Sequence, residues 1–414
     1  MTTSETGSFV LALSLMLIAV HGLGFLFEKL RQPKLIGEIL AGVLLGPFVL
    51  GPHLPALGTS SQTILAFLSQ TGLMLLMFLA GAEARQLSFR QNSKVMGWLL
   101  MMGTGFPFVL VLMGADWIPL ESIMGAAASR DATLLVLAIA ISVTSIPVLS
   151  RIFHDLKILH TRFAGLVLGT AVLEDILLWG ILAFAQVLAS GKNTLSEIML
   201  HTGINLGFMA LGLLVFPRLL AQLPQARVNF VARTSPAAWP MLVLLVYVSL
   251  GHLLGVNVVF AAFLAGFGVI GGAHAPTRVH LEPSLMAIGT VARAFFIPLF
   301  FAMVGHKLIL GRGFDFTQLA VFFVGSSLVS CFGTALAAWC ARFKGLDIVN
   351  ISLTNNARGG PGIVLAGIAF ESQLINSTFY TTLVLTAILT SQMAGLWLKF
   401  VLSKKWPLWS QYPN

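Results

Sequence analysis

Thirteen apolar segments joined by short connections run through nearly all of this 414-residue chain, at roughly 8–26, 35–50, 62–82, 95–114, 132–153, 163–189, 198–220, 236–253, 256–273, 284–305, 316–341, 347–370 and 378–400. Lipid offers no water to backbone N–H and C=O groups, so such segments must close their hydrogen bonds internally, as helices. Charged residues are only 9% of the chain, against roughly 25% in soluble domains. The expectation is one all-α membrane domain over 1–414 with about 13 transmembrane helices and no soluble regulatory domain. No Lys or Arg precedes Lys29, so the first segment lacks the basic start of a secretory leader and is expected to stay as a span. The net charge of +9 does not point to nucleic acid. Its basic residues sit in short loops, without the aromatic–basic interleaving of single-strand binders.

The loop charges set an orientation. With the N-terminus outside, 18 of the 24 Lys and Arg fall in cytoplasmic loops or at the C-terminal end, and only Arg130, Lys192, Lys307 and Arg312 fall outside. This is a positive-inside bias, and it places the C-terminus in the cytoplasm. The remaining two, Arg293 and Arg358, lie within spans.

Two acids also lie within a span. Glu174 and Asp175 sit in Phe163–Ala185, with eleven uncharged residues before them and ten after. An ionised side chain at that depth costs several kcal/mol, which points to an ion or proton pathway. Adjacent helical residues diverge by about 100°, so the two acids cannot face one ion equally. Glu174 reads either as a second proton carrier or as a structural partner of Arg293 or Arg358. Glu38, near the start of the second span, reads as interfacial.

Two spans are interrupted, by Ser142–Pro147 and by Thr354–Gly362, which put Pro and small polar residues at mid-membrane depth. Unwound backbone is tolerated there only where it is buried in protein or lines a cavity. The interrupted spans, 5 and 12, are seven apart. So are spans 2 and 9, which share Leu-Ala-Gly ending at Gly42 and Gly266. Phe78–Gly81 resembles Phe301–Gly305 at the same offset of 224 residues. An odd separation makes the copies antiparallel, so the expectation is two inverted six-helix repeats with crossing broken helices. No cofactor is expected. Cys331 and Cys340 have no metal-ligand spacing, and Gly266-Gly268-Gly271 matches a dinucleotide fingerprint only inside an apolar span, without the strand it needs.

Taken together, Leu35–Pro47, Gly72–Glu83, Ser142–Arg151, the Glu174-Asp175 helix, Pro298–Gly305 and Asn356–Leu365 resemble the monovalent cation:proton antiporter-2 family, membrane proteins of the sodium/hydrogen exchanger type. The resemblance implies the sodium/proton antiporter fold, antiport rather than enzymatic catalysis, a homodimer and a plasma or inner cell membrane. It also implies a core of helices near 62–189 and 284–400 and a dimerisation scaffold near 8–50 and 198–273. By position, Asp175 is the essential Asp, holding in turn a proton and a monovalent cation, Na⁺ or K⁺. Hard cations take oxygen ligands; Thr144, Ser145 and unwound carbonyls would supply the rest. Arg358, Arg293, Asn355 and Asn356 would support the crossing. The chain departs from the family twice. Glu174 precedes the Asp where Asp, Asn or Gln is usual, and Ser330 stands where some relatives carry a Lys, so their charge stoichiometry does not carry over. A cation channel of the same fold, and an organic-anion carrier using Arg293 and Arg358, are the alternatives.

Overall fold

The computed structural model describes residues 3–30, 32–53, 58–86, 93–189, 195–222, 230–271, 275–311 and 314–410. Of the outside cations counted above, Lys192 and Arg312 lie outside these residues. Each expected apolar segment contains a helix: α1 Thr3–Lys29, α2 Lys34–Leu44, α3 Thr59–Gln86, α4 Ser93–Met113, α5 Arg130–Ser142, α6 Ile146–Asp155, α7 Arg162–Ala189, α8 Ser196–Leu220, α9 Ala238–Leu254, α10 Val258–Gly271, α11 Leu281–His306, α12 Phe316–Cys340, α13 Leu346–Asn355, α14 Gly359–Glu371 and α15 Ser377–Ser403. Among the described residues, nine helical segments are long and apolar enough to cross a membrane, with α5 and α6 counted together. The second span falls short of expectation, because α2 ends at Leu44 rather than near residue 50. Pro47 has no N–H to continue the ladder, and the chain folds back so that Gly51 N–H donates to the Gly46 carbonyl at 2.9 Å.

Three long helices contain a π-helical stretch: Leu99–Gly105 in α4, Leu211–Val215 in α8 and Ala292–Phe296 in α11. Each is followed, two residues on, by a proline: Pro107, Pro217 and Pro298. Proline leaves the carbonyl four residues back without its donor and crowds it with the ring. A widened turn moves that carbonyl aside. In α11 the freed Ala294 carbonyl is bonded by the His21 ring Nε2 at 2.9 Å.

The helices form two compact units, Met1–Gln86 with Ile204–Gly311 and Leu87–Gly203 with Arg312–Asn414. In the first, the repeated glycines have a direct physical role. A Cβ on Gly42 would lie 1.8 Å from the Ala302 carbonyl oxygen, and one on Gly305 would lie 1.9 Å from that of Ile39. Likewise Gly266 sits against Phe78 and Gly81 against Phe263, at 1.8 and 2.0 Å. The α2–α11 and α10–α3 crossings are thus the same contact with the two halves exchanged, as an inverted repeat requires. Both crossings lie within the first unit, which includes α3 and α11.

The second unit holds both broken helices. The connection before α5 clasps the one after α14, with Gly125 N–H donating to Leu374 O at 3.1 Å and Asn376 N–H to Ile123 O at 2.9 Å. The chain after α15 folds back onto α13. The buried Asp347 carboxylate accepts from Ser410 N and Oγ, the latter at 2.7 Å, and Asn350 Nδ2 donates to the carbonyls of Pro407 and Leu408. Trp409 stacks on Phe343 with ring centroids 4.9 Å apart.

Candidate functional site

The first broken helix stops because residues 143–145 turn extended. Val143 takes ψ 139°, and Ser145 caps α6, its Oγ accepting from Val148 N–H at 3.3 Å. Pro147 then sits in the first turn of α6, where no donor is needed. The second helix stops at Asn355 and restarts at Gly359, whose φ of +36° favours glycine. A Cβ there would lie 2.5 Å from Val148 Cγ2 and 2.6 Å from Ser145 Oγ.

The two breaks hold each other. Ser145 N–H donates to the Ala357 carbonyl at 2.7 Å, and Thr144 Oγ1 donates to that of Asn355 at 2.8 Å. Backbone groups orphaned by unwinding are thereby satisfied across the crossing. The C-terminal ends of α5 and α13 bring partial negative charge to this point, and the N-terminal ends of α6 and α14 bring partial positive charge.

Arg358 lies in the second break and is 2% exposed. Its guanidinium donates to Ser326 Oγ at 2.7 Å, to Asn356 Oδ1 at 3.3 Å and to the Ile141 carbonyl, at the end of α5, at 3.4 Å. A fixed cation therefore stands at a helix C-terminus, where the dipole favours it. Among the described residues no ion pair joins Arg358 to an acid.

Glu174 and Asp175, each 2% exposed, sit in the middle of α7. As helical spacing predicts, they face different neighbours. Glu174 turns to α4, where its Oε1 accepts from Thr104 Oγ1 at 2.8 Å, and Thr144 is a second polar neighbour. Asp175 borders a small cavity with Ile139 and Val143 of the first broken helix, Trp179 of α7, and Pro361 and Leu365 of α14. Asp175 Oδ1 and Glu174 Oε2 accept no hydrogen bond among the described residues. Asn355 Oδ1 and Asn356 Nδ2, at the second break, are also without partners there.

The crossing thus brings together Asp175, Glu174, Thr144, Ser145, Asn355, Asn356 and Arg358. The ion pair of Glu174 with Arg358, one of the alternatives read from the sequence, is not formed: the two terminal guanidinium nitrogens bond neutral oxygens, and Nε has no partner among the described residues. Arg293 belongs to the first unit, in the π-helical stretch of α11, where it is exposed, folds beside Gly289 and has Glu83 as an electrostatic neighbour. Glu38, expected at the interface, is 6% exposed and lies 3.8 Å from Lys34. Ser330 is buried on α12, one turn after Ser326. Sequence reasoning missed Thr104 and Ser326, which are ordinary hydroxyls until packing brings each to a buried charged group.

The chain matches the family described as sodium/hydrogen exchanger, transmembrane, over residues 13–404. It is 27% identical over 405 residues to cation/H(+) antiporter 17 of Arabidopsis thaliana, covering 93% of this chain and 47% of that protein. The chain therefore spans about half the length of the plant relatives it matches. It is 26% identical over 409 residues to the Na(+)/H(+)-K(+) antiporter GerN of Bacillus cereus, covering 96% of this chain and 97% of that one. The solved structure of the sodium proton antiporter MjNhaP1 from Methanocaldococcus jannaschii at pH 8 matches with a TM-score of 0.64, 17% identity and coverage of 96% and 97%. At that identity the likeness concerns the fold, which is the one expected from the sequence.

Proposed function

The chain belongs to the sodium/hydrogen exchanger family, and on that premise we propose that it exchanges a monovalent cation, Na⁺ or K⁺, for protons across the membrane, with Asp175 as the shared site. The observation that carries this reading is a buried carboxylate at the crossing with no ion-pair partner among the described residues. An isolated buried charge is too costly to persist, so something must neutralise it. Either a proton or a small cation does so, and both use the same oxygens. The two cargoes exclude one another at Asp175, and that exclusion is what couples their fluxes.

Arg358 supports the same reading. Because it is spent on Ile141, Asn356 and Ser326, it steadies the crossing without occupying Asp175. Carbonyls of the first break and hydroxyls such as Thr144 would complete the cation's shell. Alternating access would expose Asp175 first to one side and then to the other, with the second unit as the ion-carrying body and the first as scaffold and dimer contact. The protein is a multi-pass membrane protein. The loop charges favour an outside N-terminus and a cytoplasmic C-terminus, in a plasma or inner membrane.

The test is proteoliposomes loaded with a pH-sensitive dye and challenged with gradients of Na⁺, K⁺, Li⁺ and choline. A proton flux opposite to Na⁺ or K⁺, and none with choline, is expected. Cation flux without proton movement would favour the channel reading instead.

A further inference from the structure

We propose that Thr104 is a positioning residue for the exchange: its hydroxyl holds the Glu174 carboxyl toward α4, so that Asp175 alone faces the cavity at the crossing. The inference rests on the antiport reading and adds a residue to it.

Thr104 is buried at 5% exposure and lies in the π-helical stretch Leu99–Gly105. That stretch is where Pro107 forces α4 to widen, and π turns often mark functional positions. It has little room to shift. A Cβ on Gly333 of α12 would lie 2.6 Å from the Met102 carbonyl oxygen and 2.9 Å from Pro107 Cδ. The aromatic rings of Phe106 and Phe332 meet beside it, with centroids 5.6 Å apart. Thr104 therefore presents its hydroxyl from a rigid support, and the 2.8 Å bond to Glu174 Oε1 joins two buried groups.

One oxygen of Glu174 is held and the other, Oε2, is without a partner among the described residues. Glu174 and Asp175 are consecutive on α7, so a freed Glu174 carboxyl could swing toward the same cavity. Two carboxylates would then share one cation, binding it more tightly and releasing it more slowly.

The measurement is exchange in proteoliposomes across a range of concentrations of the transported cation, with thermal melting in detergent measured in parallel. Thr104→Val keeps the shape and removes the donor. It is expected to lower the apparent KM about fivefold, the equilibrium constant of one net hydrogen bond, and to lower kcat with it. Thr104→Ser, which keeps the hydroxyl, is expected to restore both. In a Glu174→Gln background, Thr104→Val should move KM by less than about twofold, because coupled residues lose their separate effects. Should Thr104→Val fail to insert, Thr104→Ala, which also lacks the donor, is read the same way. A donor-less variant that melts and exchanges with wild-type KM and kcat would overturn the role of Thr104. So would an equal KM shift in the Glu174→Gln background. Absence of exchange by the wild-type protein would instead sink the antiport reading, and this inference with it.

Discussion

Replacing Gly42 with alanine tests the inverted repeat where its two halves meet. The added Cβ would lie 1.8 Å from the Ala302 carbonyl oxygen, whereas real Cβ contacts essentially never fall below 3.0 Å. The α2 and α11 backbones must therefore part by at least 1.2 Å, the difference between those distances. Ala41, Leu299 and Ala302 belong to one buried cluster there, so the shift disturbs a packed core. Forcing extra atoms into such a core costs about 1–3 kcal/mol. Gly325 of α12 is the control, since a Cβ there meets nothing within 4 Å. Relieving a helical glycine is worth roughly 0.5–1 kcal/mol in favour of alanine. Gly42 also lies within a helix and shares that gain, so melting in detergent should separate Gly42→Ala from Gly325→Ala by about 1–3 kcal/mol. Gly266→Ala should behave like Gly42→Ala, because it occupies the equivalent crossing. If Gly42→Ala melts at or above the Gly325→Ala protein, the close-crossing argument is wrong.

Arg358→Ala removes the donors to Asn356 Oδ1 and the Ile141 carbonyl, at about 1–3 kcal/mol per buried unsatisfied group, so melting temperature and exchange should fall together; unchanged melting would place the guanidinium in water. Asp347→Ala removes the hydrogen bonds that hold Ser410, and limited trypsin digestion should cut faster after Lys404 or Lys405 in this variant; equal cleavage rates would show the tail is held by other contacts. Exchange should be electroneutral, because Asp175 lines the cavity at the crossing and Glu174 does not. A rate that rises several-fold under a clamped potential would contradict this and identify Glu174 as a second carrier.

Much of the architecture is legible in the sequence alone. The breaks at Val143–Ser145 and Asn356–Arg358 were announced by proline and small polar residues inside apolar runs. The glycines at 42, 81, 266 and 305 were visible as a repeat, although only the carbonyls they touch explain why it exists. The π-helical stretches were not foreseen, yet each carried a signal in Phe-Pro or Ile-Pro within a long apolar helix. The side-chain partnerships were harder to read. Arg293 and Arg358 look alike in sequence, both being lone cations within spans, but one lies in a broken helix and the other on an exposed face beside Glu83. Thr104 could not be chosen among the hydroxyls of the chain, because its partner is set by the angle at which α4 meets α7. The end of α2 at Leu44 was obscured by a hydropathy that continues through Phe48, Val49 and Leu50 after the backbone has turned.

The central claim is that one carboxylate serves both cargoes, and Asp175 substitutions test it most directly. Asp175→Asn keeps the shape of the side chain and cannot carry a proton, while Asp175→Glu keeps the carboxyl and displaces it. Reconstituted at equal density, and melting as the wild type does, the Asn protein should show no cation-dependent proton flux. The Glu protein should keep a reduced one. Cation/proton exchange at the wild-type rate by a folded Asp175→Asn protein would contradict the account.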